Sequence, residues 1–340
     1  MTDIHWGAKS NSELHNQDCE RFIDWFCDNV RADPEIDNII FLGDWYENRS
    51  ALNVMTLNYA HRGAEKLNSL GLPVYFIIGN HDLYHRHTRE VYSPITMGVF
   101  DNFKVVNEPE VIDSVGDGIL VCPYLFHDEY KNLVQHTKVK TWWGHFEFAG
   151  FVITGHNVVM PTGPRAADFA GPKRIFSGHF HKRQIKNNVV YIGNTFPTTY
   201  GDAGDTDRGM VVYEHDSDSL EFINWPDCPQ YIKTKMSDIL DESVTLAEQA
   251  RVKCVVDVPI SFEESTYLRQ SFIEKYNLRE FIMEESQEIS DALTNTQTSV
   301  DLEDPKLDSV DDLVIQMLTD IESDHIDSNI LIEQYKRIRV

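Results

Sequence analysis

Acidic and histidine side chains occur in five short motifs of the sequence, four of which contain glycine. Carboxylates and imidazoles are donors that manganese, iron and zinc accept, and one carboxylate can bridge two ions. Alternate residues of an extended segment point to the same side, so Asp-x-His and His-x-His pairs can each direct two donors into one pocket. The motifs therefore predict a centre for two divalent ions. In chain order they are Asp3-Ile4-His5, Gly43-Asp44, Gly79-Asn80-His81-Asp82, Gly144-His145 and Gly178-His179-Phe180-His181.

The last four motifs each follow an apolar segment that is typical of a buried strand. These segments are 37–42, 74–78, 140–144 and 174–177. Open α/β sheets place their sites at the carboxyl ends of strands, so the motif side chains are expected to converge there. A helix is predicted between the first two strands, at 52–70, because the residues that follow it, Gly71 and Pro73, end helices.

The rest of the sequence predicts a layered α/β domain followed by three smaller parts. Further strands are expected at 118–123, 189–192, 210–215 and 219–225. A small α/β capping domain is expected next, with a strand at 253–258 and a helix at 263–276. The predicted limits are 1–227 for the main domain, 228–285 for the capping domain, 286–307 for an acidic linker and 308–340 for C-terminal helices.

Two short amphipathic helices are predicted in the C-terminal region. Ser309 is the expected N-cap of the first, with Asp312 three residues later. The helices could fold back on the capping domain or dock into a groove or coiled coil of a partner protein. Their apolar stripes are Val310, Leu313, Val314, Met317, Leu318 and Ile321 in the first helix, and Ile330, Leu331, Tyr335 and Ile338 in the second.

The net charge of −25 seems at odds with a nucleic-acid ligand, because phosphate backbones attract Lys and Arg. Residues 280–327 alone carry −14 of this charge, however, and they need not touch a substrate. Some of the remaining carboxylates would be neutralised by bound metal. The charge weakens the case for a nucleic-acid ligand without excluding one.

The cysteines and the hydropathy pattern point to a cytoplasmic protein. Five scattered cysteines without a CxxC spacing argue against a disulfide framework and against a structural zinc site. No apolar run approaches the roughly 18–20 residues that span a bilayer. The first residues also lack the pattern of a secretion signal. We expect no membrane association, and a location in the host-cell cytoplasm if the chain is phage-encoded.

The motif series resembles the calcineurin-like metallophosphoesterase superfamily over roughly residues 1–225. The resemblance implies a layered α/β fold, a β-sandwich flanked by helices, and in-line attack of a metal-activated water on a phosphoester. It gives His81 the role of stabilising the transition state and protonating the leaving oxygen, and Asp82 that of orienting the His81 imidazole. It also implies one ion held by Asp3, His5, Asp44 and His181, and a second held by Asp44, Asn80, His145 and His179.

Two parts of this assignment leave alternatives. His156 in Gly155-His156 competes with His145, which we prefer because 140–143 is the predicted strand before it. In the superfamily, the Asp-x-His motif ends a buried strand, but only Met1 and Thr2 precede Asp3 here. Either the native start lies upstream, which we favour, or the first metal site is weakened.

Further segments resemble SbcD-type recombination nucleases. These are Val190-Tyr191-Ile192-Gly193-Asn194-Thr195-Phe196-Pro197 and the stretch 202–209. Asp3-Ile4-His5-Trp6-Gly7 and Trp143-Gly144-His145-Phe146-Glu147 are most similar to the compact nuclease subunit of tailed bacteriophages. The resemblance implies an endo- or exonuclease that depends on two divalent ions, taken to be Mn²⁺, and acts on DNA ends and on single-stranded or branched DNA. It also implies a homodimer and a partner, an SMC-like ABC ATPase of the SbcC type.

Basic residues near the motifs are candidate DNA contacts. Those at 85–89 directly follow a metal motif and could flank the scissile phosphate, or they could form a solvated loop. The alternative functions are a small-molecule or protein phosphoesterase of the same superfamily and a scaffold with an impaired site. The candidate contacts are Arg49, His85, Arg86, His87, Arg89, Lys182 and Arg183.

Overall fold

A computed structural model describes residues 1–153 and 158–285, together with Ile332. The chain divides into two compact units, Met1–Glu285 and Ser286–Val340, and the account below concerns the first. Apart from Ile332, the predicted acidic linker and the predicted C-terminal helices lie outside the described residues. Within the described ranges, no helix is both long and apolar enough to cross a bilayer.

A parallel three-stranded sheet and two helices form one half of the main domain. The strands are β1 (Ile39–Phe41), β2 (Val74–Ile77) and β3 (Phe103–Val106), in that order across the sheet. Helix α1 (Glu13–Ala32) begins at Ser12, whose hydroxyl accepts the His15 N–H, and it packs on helix α2 (Val54–Asn68). Helix α2 confirms the helix predicted at 52–70, whereas α1 and β3 are not among the predicted elements.

A six-stranded sheet forms the other half. Its order is β4-β5-β6-β7-β9-β8, with parallel pairing in the centre and antiparallel pairing at both edges. The strands confirm those predicted at 118–123, 140–144, 174–177 and 189–192. Two 3₁₀ helices, Glu129–His136 and Ala166–Asp168, lie in its connections, and another, Ser93–Val99, lies between β2 and β3 of the first sheet. The strands are β4 (Glu110–Ile112), β5 (Ile119–Cys122), β6 (Thr141–Gly144), β7 (Arg174–Ser177), β8 (Gln184–Lys186) and β9 (Val189–Tyr191).

The two sheets share a buried core, which makes the main domain a sandwich. Ile77 of the first sheet and Leu42, just after β1, belong to the same apolar cluster as Val121 and Phe176 from the second sheet. Helices α1 and α2 cover the outer face of the first sheet with a second cluster. A hairpin of β10 (Gly209–Glu214) and β11 (Ser219–Asn224) follows. The predicted layered α/β sandwich flanked by helices is therefore confirmed.

Residues 231–285 have a parallel sheet and an apolar core of their own. The strands are β12 (Tyr231–Lys235), β13 (Arg251–Val256) and β14 (Glu280–Glu285), with β13 in the centre. Helix α3 (Met236–Leu240) and helix α4 (Phe262–Lys275) accompany them, and the side chains of this region form a separate core cluster. Strand β13 and helix α4 match the predicted strand and helix of the capping domain, while the predicted boundary at 227/228 remains a prediction.

Candidate metal centre

Strand ends of both sheets deliver most of the predicted ligands to one place. Asp44 follows β1, Asn80 follows β2, His145 follows β6, and the His-x-His pair follows β7. These strands have parallel neighbours, so their carboxyl ends lie at one edge of the sandwich. The sequence analysis predicted that the motif side chains converge at the carboxyl ends of the strands, and that prediction assumed such an arrangement of the strands.

The first residues of the chain lie along β1 and bring in Asp3 and His5. The backbone N–H groups of Asp3 and His5 donate to the carbonyl oxygens of Gly43 and Asp44, at 2.9 and 3.2 Å. Asp3 and His5 are buried, and their φ angles of 52° and 53° lie in the left-handed region that costs a non-glycine residue energy. The hydrogen bonds to 43–44 hold these two residues in that conformation.

Asp3, His5 and His181 form the first candidate pocket. One ligand atom from each lies within 4.8 Å of the other two. The Nε2 atoms of His5 and His181 are 3.1 Å apart, and each is 3.8 Å from Asp3 Oδ1. This close group of nitrogen and oxygen donors has the composition and spacing of a site for a cation.

Asp44, Asn80, His145 and His179 form the second candidate pocket. The Asn80 Oδ1 atom lies 2.9 Å from His145 Nε2 and 2.8 Å from His179 Nδ1. Asp44 Oδ2 is 3.4 Å from His145 Nε2. The same Asp44 oxygen is 3.9 Å from His5 Nε2 of the first pocket. Asp44 therefore stands between the two pockets, in the position required of a bridging carboxylate.

Two glycines permit this close arrangement. A Cβ atom at Gly79 would overlap the Asp44 carboxylate, and one at Gly178 would overlap the side chains of Thr2 and Asp3. Any other residue at these positions would push the strand ends apart. The glycines of the motifs are thus required for close approach of the backbone to the donors.

The protonation states of two of the donors, His179 and His181, fit a divalent cation. Burial and the positive charge of His145 lower the pKa of His179 to about 3. Burial and the positive charge of His5 likewise lower the pKa of His181 to about 3. Both rings are neutral at physiological pH, which is the form that binds metal. The set of imidazole, carboxylate and amide donors suits manganese, iron or zinc and does not single out one of them.

His81 borders both pockets. Its backbone N–H donates to Asp44 Oδ1 at 2.7 Å, and its ring lies 4.9 Å from the His5 ring. Its Nδ1 lies 2.8 Å from the carbonyl oxygen of Glu47. A carbonyl can only accept a hydrogen bond, so Nδ1 carries a proton and Nε2 is the atom free to exchange one. About a third of the His81 side chain is exposed, which leaves it accessible to a substrate.

Asp82 does not orient the His81 ring, so that expectation was wrong. The Asp82 carboxylate is buried and accepts hydrogen bonds from the backbone N–H groups of Asp44, Trp45, Tyr46 and Gly79, at 2.9–3.2 Å. Among the described residues, the nitrogen Nδ1 of the His81 imidazole is instead held by the Glu47 carbonyl oxygen. Asp82 instead ties the turn after β1 to the turn after β2, and so positions Asp44 and Asn80.

Glu47 is a residue that the sequence analysis missed. Its carboxylate lies 2.8 Å from His5 Nδ1, while its carbonyl oxygen holds His81. Burial lowers the pKa of His5, but the Glu47 hydrogen bond and the charges of Asp44 and Asp3 outweigh burial and raise it to about 9. The available signal was an acidic residue three positions after Asp44, since metal-binding histidines commonly donate their other nitrogen to a carboxylate.

The predicted DNA contacts fall into two groups. Arg49, His85 and Arg86 line a cavity of about 250 Å³ that has Asn80 on its wall. Arg86 and His87 line a neighbouring cavity of about 300 Å³. Arg49, His85 and Arg86 therefore line a cavity that reaches Asn80 of the second candidate pocket, His87 lines the cavity next to it, and their role as DNA contacts remains a prediction.

The other predicted DNA contacts, Arg89, Lys182 and Arg183, do not line these two cavities. Arg89 is mostly buried, and its guanidinium donates to both carboxylate oxygens of Glu129 at 2.6 and 2.7 Å, so it acts as a structural residue. Arg183 donates to Asn224 at 2.7 Å and lies over the Phe222 ring. Lys182 is half-buried in the same turn. His156, the alternative to His145, lies outside the described residues.

Residues 1–183 match the model of the calcineurin-like phosphoesterase family. The match covers more than half of the chain, so the chain belongs to this family, and the resemblance inferred from the motifs is confirmed. Proteins of this family use divalent metal ions, in keeping with the donor groups described above.

Two curated relatives extend the comparison. The chain is 28% identical over 185 residues to exonuclease subunit 1 of Enterobacteria phage T4, which is 53% of this chain and 54% of that protein. It is 24% identical over 243 residues to the DNA double-strand break repair protein Mre11 of Methanocaldococcus jannaschii, covering 65% of this chain and 64% of that protein. The chain thus spans between about half and two thirds of these relatives.

A solved structure, the Pseudomonas putida nuclease MPE, also matches, with 17% identity and a TM-score of 0.28. The match covers 56% of this chain and 64% of that one. A TM-score this low does not extend the assignment.

Proposed function

We propose that this chain is a metal-dependent DNA nuclease that acts as a subunit of a recombination and break-processing complex. The observation that carries the proposal is the position of His81, which hydrogen-bonds Asp44 between two clusters of metal donors and remains accessible. The relatives named an exonuclease subunit and a double-strand break repair protein support DNA as the substrate. The alternative is a small-molecule or protein phosphoesterase with the same centre.

The two donor clusters would hold divalent ions, most simply Mn²⁺, and such ions supply positive charge that activates water and stabilises the attacked phosphate. Asp3, His5, Asp44 and His181 would hold one ion, and Asp44, Asn80, His145 and His179 the other. His81 acts through Nε2, because Nδ1 is committed to the Glu47 carbonyl. In its protonated form, this nitrogen donates a hydrogen bond to the phosphate and then a proton to the leaving oxygen.

The surroundings of the centre fit a DNA strand. Arg49, His85, Arg86 and His87 provide positive or ionisable side chains beside the second pocket, where they can contact the phosphates that flank the scissile one. For the larger assembly, we propose DNA ends and single-stranded or branched DNA as substrates, a homodimer, and an SMC-like ABC ATPase of the SbcC type as the partner of residues 308–340.

The test compares cleavage of linear duplex DNA, single-stranded DNA and a phosphomonoester by the Mn²⁺-loaded protein. We expect DNA cleavage that falls about 100- to 10,000-fold in His81→Ala, the usual contribution of a general acid. The matched control is His61→Ala, an exposed histidine on α2 that contacts Glu65, which should leave the rate unchanged. Hydrolysis of the phosphomonoester with intact DNA would favour the alternative and contradict the nuclease proposal.

A further inference from the structure

The two cavities beside the metal centre form one trough. They share three lining residues, Arg86, Tyr124 and Phe126, and so lie side by side. The first contains about 250 Å³ and the second about 300 Å³. Asn80 lines the first cavity, which places one end of the trough against the second candidate pocket. A molecule bound in the trough would therefore lie next to a group bound at the second candidate pocket.

Two aromatic rings form a rigid corner in this trough. The rings of Tyr124 and Phe126 are 5.9 Å apart and nearly perpendicular, at 87°. The Tyr124 ring packs 5.8 Å from the His179 ring, and its hydroxyl donates to Glu147 at 3.1 Å. The backbone N–H of Phe126 donates to Glu129 at 2.8 Å. Both side chains are half-buried, and the Arg89 guanidinium lies 5.3 Å from the centre of the Phe126 ring, so a ligand would meet the opposite face of that ring.

The trough has a net positive charge, from Arg49 and Arg86 against Glu147, although the chain is strongly acidic. Its cationic or ionisable lining consists of Arg49, His85, Arg86, His87 and His127. Glu147 is the one acidic residue that lines it within the described part of the chain, and that carboxylate already accepts the Tyr124 hydroxyl. The lining therefore combines positive charge with open aromatic surface, the combination used by sites that bind single-stranded nucleic acid.

We propose that the trough binds an unpaired nucleotide next to the scissile phosphate, with its base stacked in the corner of Tyr124 and Phe126 and its phosphate on Arg49 and Arg86. This inference rests on the proposed DNA nuclease function. A base inside a duplex has both faces covered by its neighbours, so it cannot stack on a protein ring unless it leaves the helix. The trough would thus select single-stranded ends, tails and flaps over continuous duplex.

The experiment measures equilibrium binding of a duplex with a short single-stranded tail, in which one tail nucleotide at a time lacks its base. Cleavage is prevented by placing all variants in the His81→Ala protein. We expect one tail position at which loss of the base weakens binding about 5- to 100-fold, the effect of one base–aromatic stack. In Phe126→Leu, which keeps an apolar side chain but no ring, the same loss should weaken binding less than about twofold.

Tyr267→Leu is the matched control, because Tyr267 is an exposed aromatic residue on α4 that does not line the trough. It should retain the full effect of the missing base. An independent test is the salt dependence of binding, whose slope should fall by about 0.7 in Arg86→Gln if this residue contacts one phosphate of a single strand. Arg31→Gln, a change at an exposed arginine on α1, should keep the original slope.

The outcomes separate this inference from the proposed function. Removing the base could weaken binding by the same factor in Phe126→Leu as in the protein that keeps Phe126, or no tail position could respond. Either result would show that the stacking site is wrong, even when the active protein cleaves DNA. If the position-specific effect is present and depends on Phe126 while the active protein leaves DNA intact, the trough is supported and the nuclease proposal fails. Absence of any binding to DNA would overturn both.

Discussion

Individual donors in the centre are held by residues that would not themselves touch a metal. Glu47 is the clearest case, since its side chain fixes His5 and its carbonyl oxygen fixes His81. The His5 hydrogen bond is the largest cause that lowers the pKa of Glu47 to about 2, so Glu47 is ionised at all ordinary pH values. A carboxylate in this position sets which ring nitrogen is free and raises its basicity.

Replacing this carboxylate should weaken the metal centre. We expect Glu47→Gln to lower Mn²⁺ affinity about 10- to 100-fold, because the uncharged amide no longer raises the basicity of His5. Titration calorimetry of the metal-stripped protein measures this directly. Glu65→Gln is the control, because Glu65 is an exposed acid 3.6 Å from a surface histidine, His61. Unchanged affinity in Glu47→Gln would show that Glu47 does not support the centre.

The turns that follow the strands are fixed by polar contacts among themselves. Asp82 joins the turn after β1 to the turn after β2. Arg89 performs a similar task further out, donating to the carbonyl oxygens of Asn107 and Tyr124 as well as to Glu129. Through Tyr124, this second network also supports the trough. The loop that carries the basic residues at 85–87 is therefore anchored at its end.

The pH dependence of stability should reveal this anchor. Burial raises the pKa of Glu129, but the Arg89 hydrogen bonds outweigh it and hold the pKa below its ordinary value. A carboxyl group with a lowered pKa stabilises the fold above the unfolded pKa, and this stability is lost as the pH falls towards the folded pKa. Glu129→Gln should thus lower the free energy of unfolding by about 1 kcal/mol at neutral pH and by much less near pH 3. The figure is kept this small because the Glu129 carboxylate is partly exposed to solvent.

Urea unfolding of the metal-free protein at both pH values measures this difference. Glu108→Gln provides the control, because Glu108 is well exposed and its carboxylate lies farther from the Arg89 guanidinium, at 3.5 Å. This change should alter the free energy of unfolding by less than about 0.5 kcal/mol. An equal cost of Glu129→Gln at neutral and acid pH would contradict the ion-pair explanation.

The elements show what could be predicted from the sequence. Strands such as β1 and β2 were predicted because each contains a continuous apolar run that ends at glycine. Helix α1 was missed although Phe22, Phe26 and Val30 repeat at helical spacing, so its signal was present in the sequence. The partners of Asp82 could not be predicted, because the donors to its carboxylate are backbone N–H groups that only folding brings close. The same holds for Tyr124 and Phe126, which belong to no motif.

At the scale of the whole molecule, residues 231–285 contact both helix α1 and the first residues of the chain. Arg279, just before β14, lies 2.5 Å from the buried carboxylate of Asp18 on α1. Lys9, in a left-handed turn four residues after His5, lies 4.5 Å from the ring of Tyr231 on β12. These contacts join the first residues of the chain, which carry Asp3 and His5, to the sheet that follows the main domain.

The charge of the whole chain differs in sign from the charge of the trough beside the candidate metal centre. The chain as a whole is strongly acidic, yet the trough beside the centre is lined by basic and ionisable residues such as Arg49 and Arg86. The carboxylates Asp3 and Asp44 are buried among imidazoles. A negatively charged strand can therefore approach the site along the trough, and bound cations would remove the remaining repulsion at the centre.

The most direct test of this account is a titration of Mn²⁺ into metal-stripped protein with linear single-stranded DNA present. The account predicts no cleavage without metal and a rate that rises with loading and levels off at two ions per chain. Asp44→Asn, which weakens the residue shared by both pockets, should prevent this saturation. Cleavage that persists in the stripped protein, or that is undiminished in Asp44→Asn, would contradict the proposed centre.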